Sequence, residues 1–151
     1  MAPRCAADPR LSELTALADA TIELRLLDRN VDMPAYHFAI HLRGGASELG
    51  RILIRLDADP SISLYAGNIG YEVDPAHRGR RYAARACRLL RPVARLHGVA
   101  ELWIITSPDN LASRRTAELA GGEYVDTRDM PPDTDMYARG MHQARRYRWT
   151  L

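Results

Sequence analysis

Hydrophobic and polar residues alternate through much of the first half of the chain, and this two-residue period predicts β-strands. The turn that separates the second strand from the third is predicted at Gly44 and Gly45. In the fourth strand, Gly67 and Gly70 mark a bulge or a close approach of another group. Four such segments precede any strong helical pattern: 21–27, 36–42, 49–57 and 65–74.

The hydrophobic period lengthens after residue 79, and 80–97 is predicted to be a helix. Pro92 should kink this helix, and Gly98 should end it. The helix has one apolar face, made of Ala83, Cys87, Leu90 and Ala94.

Shorter patterns complete the prediction. Leu11, Leu14, Leu17 and Ala18 recur at helical spacing, which indicates a short helix within 1–20. The predicted order from residue 21 onward is β-β-β-β-α-β-α-β-β, an α+β fold with one mixed, mostly antiparallel sheet flanked by helices. The remaining predicted elements are a strand at 101–106, a helix at 111–120 that Gly121 and Gly122 end, and strands at 123–127 and 144–151.

Length and composition narrow the class of protein. The 151 residues fit one domain, 1–151, in which 1–20 forms an N-terminal extension. No apolar run approaches the roughly 20 residues that span a bilayer, and the N-terminus lacks the apolar core of a signal peptide. With only Cys5 and Cys87, neither a disulfide framework nor a zinc site is expected, so we predict a cytoplasmic protein with Cys87 in the core. We expect no metal.

Positive charge is concentrated in one part of the chain. The net charge is only +2, yet 78–95 contains seven arginines and no acid. This block begins where strand 65–74 runs through a short loop into helix 80–97. The first backbone N–H groups of a helix lack partners within it, and the helix dipole adds positive charge there, so this junction suits a phosphate. The alternative is a basic helix start that faces solvent.

Two motifs then resemble a known family. The segment from Val73 to Ala83 resembles the acyl-CoA-binding motif Arg/Gln-x-x-Gly-x-Gly/Ala of the GNAT superfamily, with Arg78 at its first position and Ala83 at its last. Arg81 stands where this family usually has glycine. The segment from Asn110 to Gly121 is similar to the later GNAT motif Asn-x-x-Ser/Ala-x-x-x-x-Glu-x-x-Gly. The resemblance covers roughly 49–127, and the whole pattern resembles a bacterial subgroup of predicted acetyltransferases.

The resemblance implies that the chain binds acetyl-CoA as co-substrate and transfers its acetyl group to a primary amine of a small molecule, a peptide or a protein. In GNAT proteins the fourth and fifth strands splay apart around the pantetheine arm. Backbone groups near Tyr71 and Val73 would then bond the arm and polarise the thioester carbonyl, and Asn110 would bond the pantetheine. The pyrophosphate would be held at the start of the helix by Arg78, Gly79, Arg80, Arg81, Tyr82, Ala83 and Ala84.

Catalytic groups follow from the same resemblance. An ammonium group must lose a proton before it attacks, and Glu72 is the leading candidate for the base; otherwise Glu72 faces solvent or binds the acceptor. Many GNAT enzymes have a tyrosine acid at the position of Ala117. Ser113, where some relatives have a serine near the CoA sulfur, is one candidate acid, and Tyr71 is another. Alternatively, Ser113 bonds to backbone and Tyr71 packs in the core.

Other functions stay open at this point. The chain between the first two strands is too short for the helices that usually cover a GNAT acceptor site, so the cleft is open or covered by the N-terminal segment or by the partner subunit of a homodimer. A non-catalytic acyl-CoA-binding regulatory module is one alternative, and an arginine-rich nucleic-acid-binding protein is a weaker one. His37 and His41, four residues apart in a strand, form a metal pair or face solvent or the acceptor. Solvated charge at the sheet edge is expected for Arg145, Arg146 and Arg148.

Overall fold

We analysed the fold in a computed structural model, which describes residues 17–30, 35–57 and 59–151 and gives only the backbone of 28–30. Most of the helix predicted within 1–20 therefore lies outside the described residues. Ala18, which does lie inside them, forms an antiparallel bridge to Glu23 and is not helical. The strands are β1 (Ile22–Asn30), β2 (Ala35–Leu42), β3 (Glu48–Arg55), β4 (Ile69–Val73), β5 (Glu101–Thr106), β6 (Glu123–Asp129) and β7 (Gln143–Thr150).

The helices are short and lie between the later strands. They are α1 (Tyr82–Leu89), α2 (Arg91–Leu96), α3 (Leu111–Ala120) and α4 (Asp135–Ala138). The single helix predicted over 80–97 is divided at Leu90, and Pro92 lies in the first turn of α2, where its missing N–H costs nothing. Gly98 follows α2 with a φ of 70°, as a helix terminator requires.

One seven-stranded sheet has the order β1-β2-β3-β4-β5-β7-β6. Every neighbouring pair is antiparallel except β4 and β5, which run parallel and share a single register pair, Ile69 opposite Ile104. Beyond that pair the two strands separate toward their carboxyl ends. The predicted α+β class and mostly antiparallel sheet are confirmed.

The core lies between the sheet and the helices. Cys87, Leu90 and Ala94, from the predicted apolar face, are fully buried, and Ala83 beside them is 8% exposed. The strands supply alternate side chains to the same layer, as a two-residue period requires. The predicted sheet residues Tyr147 and Trp149 are buried with them. Within the described ranges, no helix is long and apolar enough to cross a membrane.

Three predictions about local structure are wrong. The fourth strand does not begin at Tyr65, because Ile62–Ala66 forms a turn of π-helix and β4 starts at Ile69. The loop predicted between the last two strands contains α4.

The third wrong prediction concerns Arg146, which is buried and is not a solvated charge at the sheet edge. Its side chain is about 6% exposed and its Nη1 donates to Asp126 at 2.7 Å. Its Nε and Nη2 both donate to the Ser63 carbonyl, and its guanidinium lies over the Trp103 ring. A buried guanidinium needs such partners, and here they come from segments far apart in the chain.

Candidate functional site

The junction between β4 and α1 exposes the start of a helix. Arg81 is the N-cap residue of α1, and no side chain caps this end. The first amide to find an intrahelical acceptor is that of Arg85, which donates to the Arg81 carbonyl at 3.1 Å. The amides of Tyr82, Ala83 and Ala84 therefore have no acceptor within the helix, and they point along its axis toward the preceding loop.

Arg81 adopts a left-handed backbone conformation of the kind that favours glycine. Its φ of 63° and ψ of 22° are left-handed, and no other non-glycine residue in the described ranges has a positive φ. Such a conformation costs an L-residue roughly 1–2 kcal/mol. Two residues earlier, Gly79 has a φ of 82° and open space around its missing Cβ. A glycine at position 81 could adopt the same left-handed conformation, so the departure from the family motif does not require a different loop.

The basic block separates into arginines with partners in the fold and arginines without them. Arg80 and Arg81 are exposed, and no protein acceptor for either guanidinium is found among the described residues. Both flank the open amides, so positive charge free to meet an anion lies where the helix begins. Four other arginines of the block do have partners within the protein. These are Arg78 with the Val73 carbonyl, Arg85 with Asp19, Arg88 with the Leu119 carbonyl, and Arg91 over the Trp149 ring.

A cleft of about 430 Å³ begins at this junction and runs between β4 and α3. All the predicted cofactor-binding residues line it except Ala84, which is buried behind Ala83 and offers only its amide. His77, Ala112 and Thr116 also line the cleft and were not predicted as site residues. Ala112 and Thr116 lie one turn apart on α3 beside Ser113, so a helical projection from Ser113 would have found them. The lining residues are Tyr71, Glu72, Val73, His77, Arg78, Gly79, Arg80, Arg81, Tyr82, Ala83, Asn110, Ala112, Ser113 and Thr116.

The splayed part of β4 directs backbone groups into the gap. The Asp74 amide donates to the Leu49 carbonyl of β3 at 2.9 Å. Hydrogen bonds toward one neighbour alternate along an antiparallel pair, so the N–H and C=O groups of Tyr71 and Val73 point toward β5. The Val73 carbonyl accepts the Arg78 Nε at 2.9 Å, and the amides are left facing the gap.

Asn68 holds the two strands together where the gap begins. Its buried side chain donates from Nδ2 to the Arg55 carbonyl of β3 at 2.9 Å and accepts the Trp103 amide of β5 at 2.7 Å. Its own backbone N–H donates to the Trp103 carbonyl at 2.7 Å. One side chain thus supplies the bonds that a continuous parallel ladder would otherwise make.

Tyr71 and Ser113 form a hydroxyl pair inside the cleft. The Tyr71 hydroxyl donates to the Ser113 carbonyl at 3.0 Å and lies 2.9 Å from the Ser113 Oγ. Burial raises the pKa of Tyr71 well above its usual range, so this hydroxyl keeps its proton. Because the Tyr71 hydroxyl donates to the Ser113 carbonyl, the Ser113 hydroxyl can donate either to the Tyr71 oxygen or to a group in the cleft.

Asn110 begins α3 at the other wall. Its Oδ1 accepts the Ser113 amide at 3.1 Å, which makes it the N-cap of α3 and fixes the start of the helix. The side-chain amide nitrogen stays available on the cleft side, since the cap uses only the oxygen. Asn110 thus positions Ser113 as well as lining the cleft.

Glu72 lies between two clefts. Side chains alternate along a strand, so Tyr71 faces the helices whereas Glu72 rises from the opposite sheet face. There a second cleft of about 410 Å³ is lined by His37, Arg51, Leu53 and Glu72, among others. Tyr71 and Glu72 line both clefts. A carboxylate at this junction can take a proton from a group on either side.

The two histidines predicted as a metal pair or as solvent- or acceptor-facing residues have different surroundings. His37 is exposed and lines the second cleft, whereas His41 is 8% exposed and its Nδ1 is 3.2 Å from the Gly45 carbonyl. In the described part of the chain, no three His, Cys, Asp or Glu side chains are grouped as a metal site. Burial raises the pKa of Cys87 to about 12, so this residue is a core thiol and not a nucleophile.

Comparisons with known proteins agree with this geometry. A family model described as an acetyltransferase (GNAT) domain matches residues 5–123. No curated protein matches the chain significantly.

Solved structures share the fold. The microcin self-immunity acetyltransferase MccE, solved with acetyl-CoA and AMP, aligns with a TM-score of 0.60 and 17% identity over 78% of this chain and 61% of that one. A protein described as a ribosomal-protein-serine acetyltransferase from Vibrio cholerae gives 0.60 and 18% over 78% and 64%. The ribosomal-protein acetyltransferase RimL, solved with coenzyme A, gives 0.59 and 16% over 78% and 62%. This chain therefore spans less than two thirds of the length of these proteins.

The family model covers well over half of the chain, and it includes the loop with the open amides, the splayed strands and α3. From this match, together with the sheet order and the cleft, we conclude that the chain belongs to the GNAT acetyltransferase family.

Proposed function

We propose that the protein transfers an acetyl group from acetyl-CoA to a primary amine. The observation that carries the proposal is the first cleft, which joins three open helix amides at one end to Tyr71, Glu72 and Ser113 at the other. The amides and the free guanidinium groups of Arg80 and Arg81 suit a pyrophosphate. The gap between β4 and β5 suits an extended arm that bonds to strand backbone.

The residues present fit this co-substrate. Gly79 has no atom within 4 Å of where its Cβ would be, so the backbone of the loop is open to close approach by a phosphate. Acetyl-CoA supplies an acyl group already activated as a thioester. The chain itself needs only to hold that group, remove a proton from the amine and assist the leaving sulfur.

Glu72 is proposed as the base. It is exposed on the face of the second cleft and also lines the first, so an amine held in the second cleft would meet it before reaching the first. The carboxylate accepts one proton from the ammonium group, directly or through water. The amine nitrogen then forms a bond to the acetyl carbon as the carbon–sulfur bond breaks, and the second amine proton passes to the departing CoA sulfur, which leaves as the thiol.

Ser113 is proposed as the group that assists the sulfur. The Tyr71 hydroxyl donates to the Ser113 carbonyl, so the Ser113 hydroxyl can donate either back to the Tyr71 oxygen, 2.9 Å away, or into the cleft. Tyr71 is thus a positioning residue for Ser113. This pair takes the place of the tyrosine that many relatives have at the position of Ala117, which is buried in this chain.

One reason to consider a non-catalytic module is that Arg81 stands where the family usually has glycine. That reason is weakened because Arg81 adopts a left-handed backbone conformation that glycine also favours. The nucleic-acid alternative loses support because four of the seven arginines in the block have partners within the protein.

The test measures thiol released from acetyl-CoA in the presence of primary amines, with Glu72→Gln as the variant. We expect turnover to fall about 100-fold, within the range of general-base catalysis, while acetyl-CoA affinity stays within about twofold. Glu101→Gln, an exposed strand glutamate outside both clefts, is the matched control and should keep full turnover. Acetyl-CoA binding without thiol release for any amine would favour the non-catalytic module.

A further inference from the structure

The second cleft has a floor whose chemistry can be described row by row. His37 on β2 lies opposite Leu53 on β3, and Leu53 lies opposite Gly70 on β4. These three residues form one row across the strands on the face away from the helices. Neighbouring strands are about 4.8 Å apart, so the row is about 10 Å long from β4 to β2.

The neighbouring row of residues carries the charged side chains, and it ends at Glu72 on β4. Arg51 on β3 lies opposite Glu72 on β4. The Arg51 Nε is 3.2 Å from both carboxylate oxygens of Glu48, so much of its positive charge is balanced within β3. Glu72 has no ion-pair partner among the described residues, which leaves it available to an ammonium group.

The rest of the cleft is apolar. Leu53 is half-buried in the floor. Leu27, the bulge residue of β1 between the register pairs Leu26/Phe38 and Asp28/His37, lines the same cleft and is 47% exposed. Gly70 has no side chain, which lowers the floor beside Glu72. Among the described side chains that line this cleft, Glu72 is the one carboxylate, and a sugar would find few partners for its hydroxyl groups. An alkyl or aryl group would instead lose water-exposed surface against both leucines.

We infer that the acceptor is a primary amine with an apolar alkyl or aryl body that crosses from Glu72 over Gly70 and Leu53 toward Leu27. His37 offers one hydrogen bond near the far end of this path. The inference rests on the proposed function, because it places the amine of the acceptor at Glu72.

The first test compares kcat/KM for acetyl transfer across linear primary alkylamines of increasing length, with diamines and an amino sugar as polar comparisons. Each buried methylene contributes about 0.8 kcal/mol, so kcat/KM should rise about fourfold per methylene until the chain is about 10 Å long. Diamines of the same length should be poorer by tenfold or more. A flat profile, or a preference for diamines or the amino sugar, would overturn the inference and leave the proposed function intact.

The second test uses variants that change the cleft without changing the fold. Leu27→Asp places a charge at an exposed position, and it should lower kcat/KM at least tenfold for alkylamines long enough to pass His37 and reach β1, with unchanged acetyl-CoA affinity. Val125→Asp is the matched control, since Val125 is 39% exposed on the edge strand β6 outside both clefts. Gly70→Ala adds a Cβ about 3.5 Å from the Leu53 side chain, an ordinary contact, so the protein should fold while KM for the amine rises.

A binding measurement keeps the inference testable without turnover. Calorimetric titration of alkylamines into the protein saturated with CoA should give affinities that rise with chain length and fall in Leu27→Asp. If no amine releases thiol yet this binding pattern is observed, the proposed catalysis fails and the apolar site stands. If amines bind with no dependence on length, the apolar site fails whatever the turnover shows.

Discussion

The left-handed conformation of Arg81 can be measured as a difference between two substitutions. At position 81, alanine keeps the strained φ of 63° whereas glycine relieves it. The left-handed conformation costs a non-glycine residue roughly 1–2 kcal/mol. The glycine variant loses about 0.4–1 kcal/mol of this gain in stability, because its unfolded state has more backbone freedom than that of the alanine variant. Arg81→Gly should therefore be more stable to unfolding than Arg81→Ala by about 0.5–1 kcal/mol.

Arg80 is the matched position, since it is also exposed but does not have a positive φ. At position 80 the two variants differ only in the backbone freedom of the unfolded state, so Arg80→Ala should be more stable than Arg80→Gly by about 0.4–1 kcal/mol. The sign of the glycine-minus-alanine difference therefore reverses between adjacent residues. Because the unfolded-state term cancels between the positions, the double difference isolates the backbone strain, roughly 1–2 kcal/mol.

The assay is urea unfolding of the four variants, followed by tryptophan fluorescence, with thermal unfolding as a second measure. A free-energy difference of 1 kcal/mol corresponds to about 3 °C in melting temperature for a chain of this length. Acetyl-CoA affinity should fall alike in Arg81→Gly and Arg81→Ala, because both remove the same guanidinium. The reasoning is refuted if alanine is at least as stable as glycine at position 81.

Three further outcomes are expected. Gly79→Asp should weaken acetyl-CoA binding at least 30-fold through repulsion of the pyrophosphate, and Gly98→Asp, with a similar positive φ and equally open surroundings, should leave binding unchanged by calorimetry. Asn68→Ala should cost about 2–4 kcal/mol in urea unfolding, because two buried backbone groups lose their partners; a loss under 1 kcal/mol would contradict its role between the strands. Burial acts to raise the pKa of Asp126, but the guanidinium groups of Arg146 and Arg128 outweigh it and hold the pKa below its usual range. The contribution of the Asp126 carboxylate to the free energy of unfolding is therefore present above about pH 4 and is lost as pH falls through the lower pKa of the folded state. The difference in melting temperature between wild type and Asp126→Asn should accordingly narrow on acidification.

Local patterns were sufficient to predict most elements of the fold. The strand at 101–106 and the helix at 111–120 match the observed β5 and α3, because each is bounded by residues that end regular structure in any context. The site loop was predictable for the same reason: its amides, its glycine and its arginines are contiguous in the chain.

Features that depend on distant partners were not predictable. The π-helical turn at Ile62–Ala66 replaces the predicted start of the fourth strand, and it is held by Arg146, 83 residues away from Ser63. Asn68 looks like a loop residue in the sequence, yet its bonds join β3 to β5. The row formed by His37, Leu53 and Gly70 was equally unpredictable, since His37 and Gly70 become neighbours of Leu53 only through the register of three strands.

The arrangement of the two clefts has a kinetic consequence. They lie on opposite faces of the sheet and meet along β4, at Tyr71 and Glu72. Two molecules that approach from opposite faces do not block each other's entrance. On the proposed function, acetyl-CoA and amine should therefore bind in either order, and initial-rate plots should intersect rather than run parallel. Each product can also depart by its own route, so an excess of one product should compete only with the substrate that shares its face.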